Sequence, residues 1–274
     1  MLKTLFVRAL SGAVFAFLML GSIFWHPYAL AALLFLLTGL GLHEFYRLFA
    51  DTGFLRKNNT GVFLGLVVYS LLTAFAFSWL NSIAVLLILP LFFLLFIVEL
   101  YQKSERPFQQ IALQLLGIIY VAIPFGLYHF INVYPVGTID HFQPWILVGI
   151  FLLIWSNDTF AYLFGSTLGK HRLFERISPK KSWEGTIGGG LSTFGIAWIL
   201  GSYTQTLTPG TWVILAAIIV PTAIFGDLVE SMLKRSLNVK DSGSIMPGHG
   251  GVLDRFDAAN FALPFIVFFL YLLA

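Results

Sequence analysis

Long apolar runs separated by short polar breaks dominate the chain. They predict nine spans, at about 8–25, 28–45, 61–79, 82–100, 110–132, 144–164, 184–203, 211–230 and 258–274. Each is near the ~20 residues a helix needs to cross a bilayer. His26-Pro27 breaks the first pair and Ser78-Trp79-Leu80-Asn81 the second, while Tyr134-Pro135 and Thr208-Pro209-Gly210 mark later turns. No segment alternates apolar and polar residues in the manner of an outer-membrane strand. The expected fold is therefore all-α, a polytopic membrane protein of about nine transmembrane helices.

Composition narrows this further. Only 11% of the 274 residues are charged and 58% are hydrophobic, against about 25% charged in soluble domains. The absence of cysteine excludes disulfides, zinc thiolates and cysteine nucleophiles. Lys3 and Arg8 precede an apolar run as in a secretory signal, but another apolar run follows where a cleavage site would stand, so a first transmembrane helix is expected. All 16 basic residues fall at the N-terminus or in the connections after spans two, four, six and eight. By the positive-inside rule these face the cytoplasm, and an odd number of spans puts the C-terminus outside.

The first four spans carry little chemistry. Glu44 and Arg47, one helical turn apart, are expected to pair at the interface, and Glu99 to lie at a snorkelling helix end. No internal repeat suggests an inverted-repeat transporter. Residues 1–110 therefore read as scaffold and 111–274 as the catalytic region, within one continuous membrane domain.

From span six onward the character changes. Asn157-Asp158 sits inside an apolar helix, where an ionisable residue marks a functional site by default. The alternative is an ion pair between Asp158 and a cation of a neighbouring helix. Asp158, Tyr162, Gly165 and Gly169 share one helical face. A basic loop follows, with Lys170, Arg172, Arg176, Lys180 and Lys181. It can serve topology, bind anionic lipid or bind substrate phosphates. Ser178-Pro179 and Ser182 are helix-start signals. Gly185 and Gly189 form a small-xxx-small pair suited to close helix packing.

Span eight ends with Asp227, Glu230, Ser231 and Lys234 on one face, which is either a structural ion-pair stripe or part of a site. It leads into Ser231–Asp257, where carboxylates, cations, His249 and four glycines crowd together. Glycines Gly248, Gly250 and Gly251 let backbone amides approach an anion closely. Asp254 and Asp257 form a second carboxylate pair, and oxygen donors of this kind suit Mg²⁺ held partly by substrate phosphates. Lys234, Arg235, Lys240 and Arg255 can neutralise phosphate charge. Together these residues point to metal-assisted phosphoryl or nucleotidyl transfer on a lipid substrate.

The pattern Ser-x-x-Lys-Arg-x4-Lys-Asp-x-Gly-x3-Pro-x-His-Gly-Gly-x2-Asp-Arg-x-Asp over 231–257 resembles the signature of the phosphatidate cytidylyltransferases. Asn157-Asp158-x-x-Ala161-Tyr162 and Ser178-Pro179-Lys180-Lys181-Ser182-Trp183-Glu184-Gly185 also look like that family. The resemblance is dense from about 155 to 257 and weak before that. Met246 departs from the usual Leu, Ile or Phe, a volume-conserving change.

The resemblance implies transfer of a cytidylyl group from CTP to phosphatidate. It also implies Mg²⁺ with room for a second cation, a homodimer, and a bacterial inner membrane with the site facing the cytoplasm. CTP, phosphatidate and bilayer lipid are the expected partners, and nucleic acid is not. Asp227, Asp254 and Asp257 are expected to hold the metal, with Lys234 stabilising charge at the reacting phosphate. Ser231, Arg235, Lys240, Asp241, Gly248, His249, Gly250, Gly251, Arg255, Lys180, Lys181 and Asp158 are expected around the substrates. His249 has the alternative role of holding the loop by hydrogen bonds. The rival readings are a different CTP-using lipid enzyme and a transporter of cations or phosphate.

Overall fold

The computed structural model describes residues 2–55, 59–135, 139, 142–243, 245 and 250–274, with backbone only for 2–9 and Ser82. It divides into two units, Met1–Phe142 with Asp241–Phe256, and Gln143–Lys240 with Asp257–Ala274.

The first unit contains α1 (Leu2–Trp25), α2 (Pro27–Asp51), α3 (Thr60–Ala76) and, after a 3₁₀ turn, α4 (Ile88–Gln102). A continuous rod follows, α5 (Pro107–Gly117) passing through a π-turn into α6 (Ile123–Asn132). Prolines open α2 and α5, where a missing N–H has no intrahelical partner to lose. Glycine decides how closely the helices approach. A Cβ on Gly61 or Gly117 would lie 2.6 Å from Tyr46 Cζ, so both helices close on that ring. The Tyr46 hydroxyl donates to the Gln114 carbonyl at 2.7 Å. Phe256 packs edge-on against Phe15 and Phe125, at 5.5 and 4.9 Å between centroids.

The second unit contains α7 (Pro144–Leu168), a hairpin of β1 (Arg172–Phe174) and β2 (Ser178–Ser182), α8 (Trp183–Tyr203), α9 (Pro209–Ser236) and the greater part of α10 (Leu253–Leu273). Gly185 and Gly189 behave as a packing pair. A Cβ at Gly185 would meet the Ala161 carbonyl oxygen at 2.6 Å, and one at Gly189 the Asn157 carbonyl oxygen at 2.8 Å. The same device joins α9 to α10, where Gly226 faces the Asp257 carbonyl oxygen.

Six helices among the described residues are long and apolar enough to cross a membrane, and Leu10–Trp25 and Thr60–Ala76 are shorter apolar helices. With α8 they coincide with the nine expected spans. Large apolar side chains such as Phe17, Leu100, Phe108 and Phe268 point outward, as expected where lipid replaces water. The chain is an integral membrane protein with an all-α body.

Several local expectations are corrected. Arg47 pairs with Asp51 at 3.3 Å on an exposed surface, not with Glu44, which is only 4% exposed. Glu99 is buried as well and so is no snorkelling end. The basic loop forms the β1–β2 hairpin, with Arg172 opposite Ser182. Ser178-Pro179 therefore lies in a strand, and only Ser182 starts a helix, its hydroxyl accepting the Gly185 amide at 3.2 Å.

Candidate active site

Asp227 and Glu230 lie one turn apart on α9, and Gly226 admits α10 beside them. Carboxylate oxygens of Asp227, Glu230 and Asp257 consequently lie within 4.8 Å of one another. Two lysines answer this negative charge. Lys181, at the end of β2, forms an ion pair with Asp227. Lys234, one turn beyond Glu230 on α9, contacts it at 3.0 Å with both side chains nearly buried. Asp158 of α7 interacts electrostatically with Lys181 and Asp227.

The hairpin that carries Lys181 is anchored at its base. Glu184 accepts the amides of Lys170 and His171 at 3.1 and 3.2 Å, and meets His171 Nδ1 at 2.6 Å. The Ser182 cap starts α8 immediately after Lys181, which limits where that ammonium can swing. Lys180, its neighbour, is exposed.

Three carboxylates this close repel unless cations neutralise them. Two ammonium groups do part of this in the structure. An all-oxygen donor set with a small spread is also what a hard divalent cation requires, so these residues fit Mg²⁺. Phosphate chemistry is favoured by the same mixture of carboxylates and ammonium groups.

The structure gathers Asp158, Lys181, Asp227, Lys234 and Asp257 as neighbours and adds Glu230. Ser231 is half-buried beside Glu230, whereas Arg235 and Lys240 are exposed on the end of α9 and just beyond it. Asp254 is otherwise engaged. It belongs to the first unit, where its Oδ2 accepts from the Ser242 amide at 3.0 Å, the Ser242 hydroxyl at 2.9 Å and the Gly251 amide at 2.8 Å. The Gly251 amide is thus committed to a carboxylate of the chain itself. Gly250 has a φ of +83°, a conformation glycine adopts without steric cost. Asp241 and Arg255 are exposed. Gly248 and His249 lie outside the described residues.

Two acidic residues, Glu230 and Glu44, lie outside the expected set of site residues. Glu230 had a legible signal, since it sits three residues after Asp227 and four before Lys234. Glu44 had none locally, because its partner Leu253 is 209 residues away.

Comparison with known proteins shows which family the chain is similar to. The Cytidylyltransferase family matches residues 6–273. The phosphatidate cytidylyltransferase of Staphylococcus saprophyticus is 36% identical over 191 residues, 69% of this chain and 70% of that one. That of Staphylococcus haemolyticus is 36% identical over 210 residues, 75% and 77% of the two chains. That of Haemophilus influenzae is 40% identical over 131 residues, 46% of each. With the match running through nearly all of its helices, this chain belongs to the cytidylyltransferase family.

Proposed function

We propose that this membrane protein transfers a cytidylyl group from CTP to phosphatidate, forming CDP-diacylglycerol and pyrophosphate in phospholipid synthesis. The observation that carries the reading is the group of Asp227, Glu230 and Asp257 with Lys181 and Lys234 set among apolar helices. Such a group suits an anionic nucleotide meeting an anionic lipid. In the reaction an oxygen of the phosphatidate phosphate bonds to the α-phosphorus of CTP. The bond from that phosphorus to the bridging oxygen breaks, and pyrophosphate leaves with the electron pair. The nucleophile is already an anion, so no strong general base is needed. The obstacle is charge repulsion between phosphates, and stabilising that charge is usually the largest catalytic contribution in phosphoryl transfer.

Asp227, Glu230 and Asp257 are assigned to one Mg²⁺, with Asp158 near enough in charge to influence it. When bound, the ion supplies neutralisation of phosphate charge. Lys234 and Lys181 hold positive charge against the carboxylates and can turn it toward phosphate oxygens. Arg235, Lys240 and Lys180 are exposed cations available for further phosphate contacts. By family resemblance, the segment around Gly250 and Arg255 meets the phosphates of CTP. The concentration of all basic residues on one side of the spans supports a cytoplasmic site in a bacterial inner membrane. Family resemblance supports a homodimer.

Purified protein should convert labelled CTP to CDP-diacylglycerol only when phosphatidate and Mg²⁺ are both present. Turnover with a different lipid phosphate in preference to phosphatidate would favour the rival lipid enzyme. Near wild-type turnover in Asp227→Asn, Asp257→Asn and Lys234→Ala alike would remove the site assignment.

A further inference from the structure

We infer that Glu44, on α2 and outside the family signature, is a positioning residue that, together with Asp254, fixes the two ends of the glycine segment preceding α10. Its carboxylate is 4% exposed, and a buried carboxylate is costly unless hydrogen bonds compensate it. Oε2 accepts the Leu253 amide at 3.2 Å, with a further backbone hydrogen bond from Val252. Leu253 opens α10, and the first amides of a helix have no intrahelical acceptor. An anion placed there is also favoured by the helix dipole. Glu44 therefore caps α10 from a distant part of the chain.

The other end of the segment meets the same carboxylate. Ser242 Oγ lies 3.5 Å from Glu44 Oε2 and 2.9 Å from Asp254 Oδ2. A hydroxyl has one proton, so the shorter contact takes it and Ser242 donates to Asp254. Asp254 in turn accepts the amides of Ser242 and Gly251. Glu44, Ser242 and Asp254 thus form a clasp that joins Ser242–Gly243 to Gly250–Leu253.

The glycines of this segment are shaped to the clasp. A Cβ at Gly243 would lie 2.8 Å from Glu44 Cδ, and one at Gly251 would lie 2.6 Å from it. A Cβ at Gly250 would meet Asp254 Cγ at 3.0 Å. The anions these glycines admit in the structure are the chain's own carboxylates. Their absent side chains let Glu44 and Asp254 set the path of the backbone.

A functional role for the clasp rests on the reading that the segment around Gly250 and Arg255 meets CTP. Full-length Glu44→Leu, Glu44→Gln and Glu44→Asp are compared with wild type by hydrogen exchange over 241–256 and by initial rates against CTP and phosphatidate. Glu44→Leu removes the acceptor, so amides of this stretch should exchange faster and the KM for CTP should rise about tenfold or more, the scale of a lost charge-assisted hydrogen bond. The KM for phosphatidate should change much less. Glu44→Gln keeps an acceptor oxygen and should rescue most of the loss. Glu44→Asp, one methylene short of the Leu253 amide, carries the same test should the leucine variant fail to fold. Wild-type exchange and wild-type CTP KM in Leu or Asp variants overturn the clasp. Faster exchange with an unchanged CTP KM overturns the assignment of the segment to the nucleotide, and with it the positioning role.

Discussion

Glu230→Gln removes one charge from the three-carboxylate group and keeps the volume of the side chain. Glu230 is 1% exposed and lies 3.0 Å from Lys234, so water cannot replace what is lost. A hydrogen bond to a charged group contributes about 1.5–3 kcal/mol. At about 1.36 kcal/mol per tenfold change, this is roughly a 10- to 150-fold effect. If Glu230 helps hold Mg²⁺, the loss falls on cation affinity. The Mg²⁺ concentration giving half-maximal rate should then rise by that factor, with much of the rate recovered at high Mg²⁺. Initial rates across a Mg²⁺ titration, at saturating CTP and phosphatidate, measure it. Lys234→Met added to Glu230→Gln separates the metal from stability. Removing both partners of a buried pair should restore thermal stability lost by removing one, while Mg²⁺ binding followed by titration calorimetry stays weakened. An unchanged Mg²⁺ midpoint in Glu230→Gln would refute the assignment of this carboxylate to a cation.

Two further outcomes are expected. Gly185→Ala should destabilise by about 1–3 kcal/mol, the usual cost of overpacking, because the new Cβ would meet the Ala161 carbonyl oxygen at 2.6 Å and the backbone cannot swing aside. A thermal melt equal to wild type would contradict the packing role of that face. Lys181→Met should change stability by less than about 1 kcal/mol, since a partly exposed ion pair contributes little. Turnover should nevertheless fall on the order of 10²-fold, as when one charge-stabilising donor is lost. Rates within the wild-type range would exclude Lys181 from the chemistry.

The candidate site was partly legible because much of it is helical and local. Asp227, Glu230 and Lys234 share a face by spacing alone, and Asp158 stood out as a carboxylate inside an apolar run. Asp254 shows where such reading stops. Its spacing to Asp257 is that of a carboxylate pair on one helix, yet its Oδ2 is held by Ser242 and Gly251. Glu44 shows the converse. One turn from Arg47, it had every local mark of a surface pair, but Arg47 turns to Asp51 and Glu44 turns inward to the Leu253 amide.

By itself, the sequence determined the helical class, the spans and the residues able to bear charge. These depend on hydrophobic length and the 3.6-residue period, which each helix expresses without reference to the others. Only the tertiary structure decided which carboxylate meets which cation or amide. Those meetings depend on how closely helices approach at Gly185 and Gly226, and on how closely the chain passes Glu44 at Gly243 and Gly251. That closeness is a property of two surfaces at once, so neither stretch of sequence displays it alone.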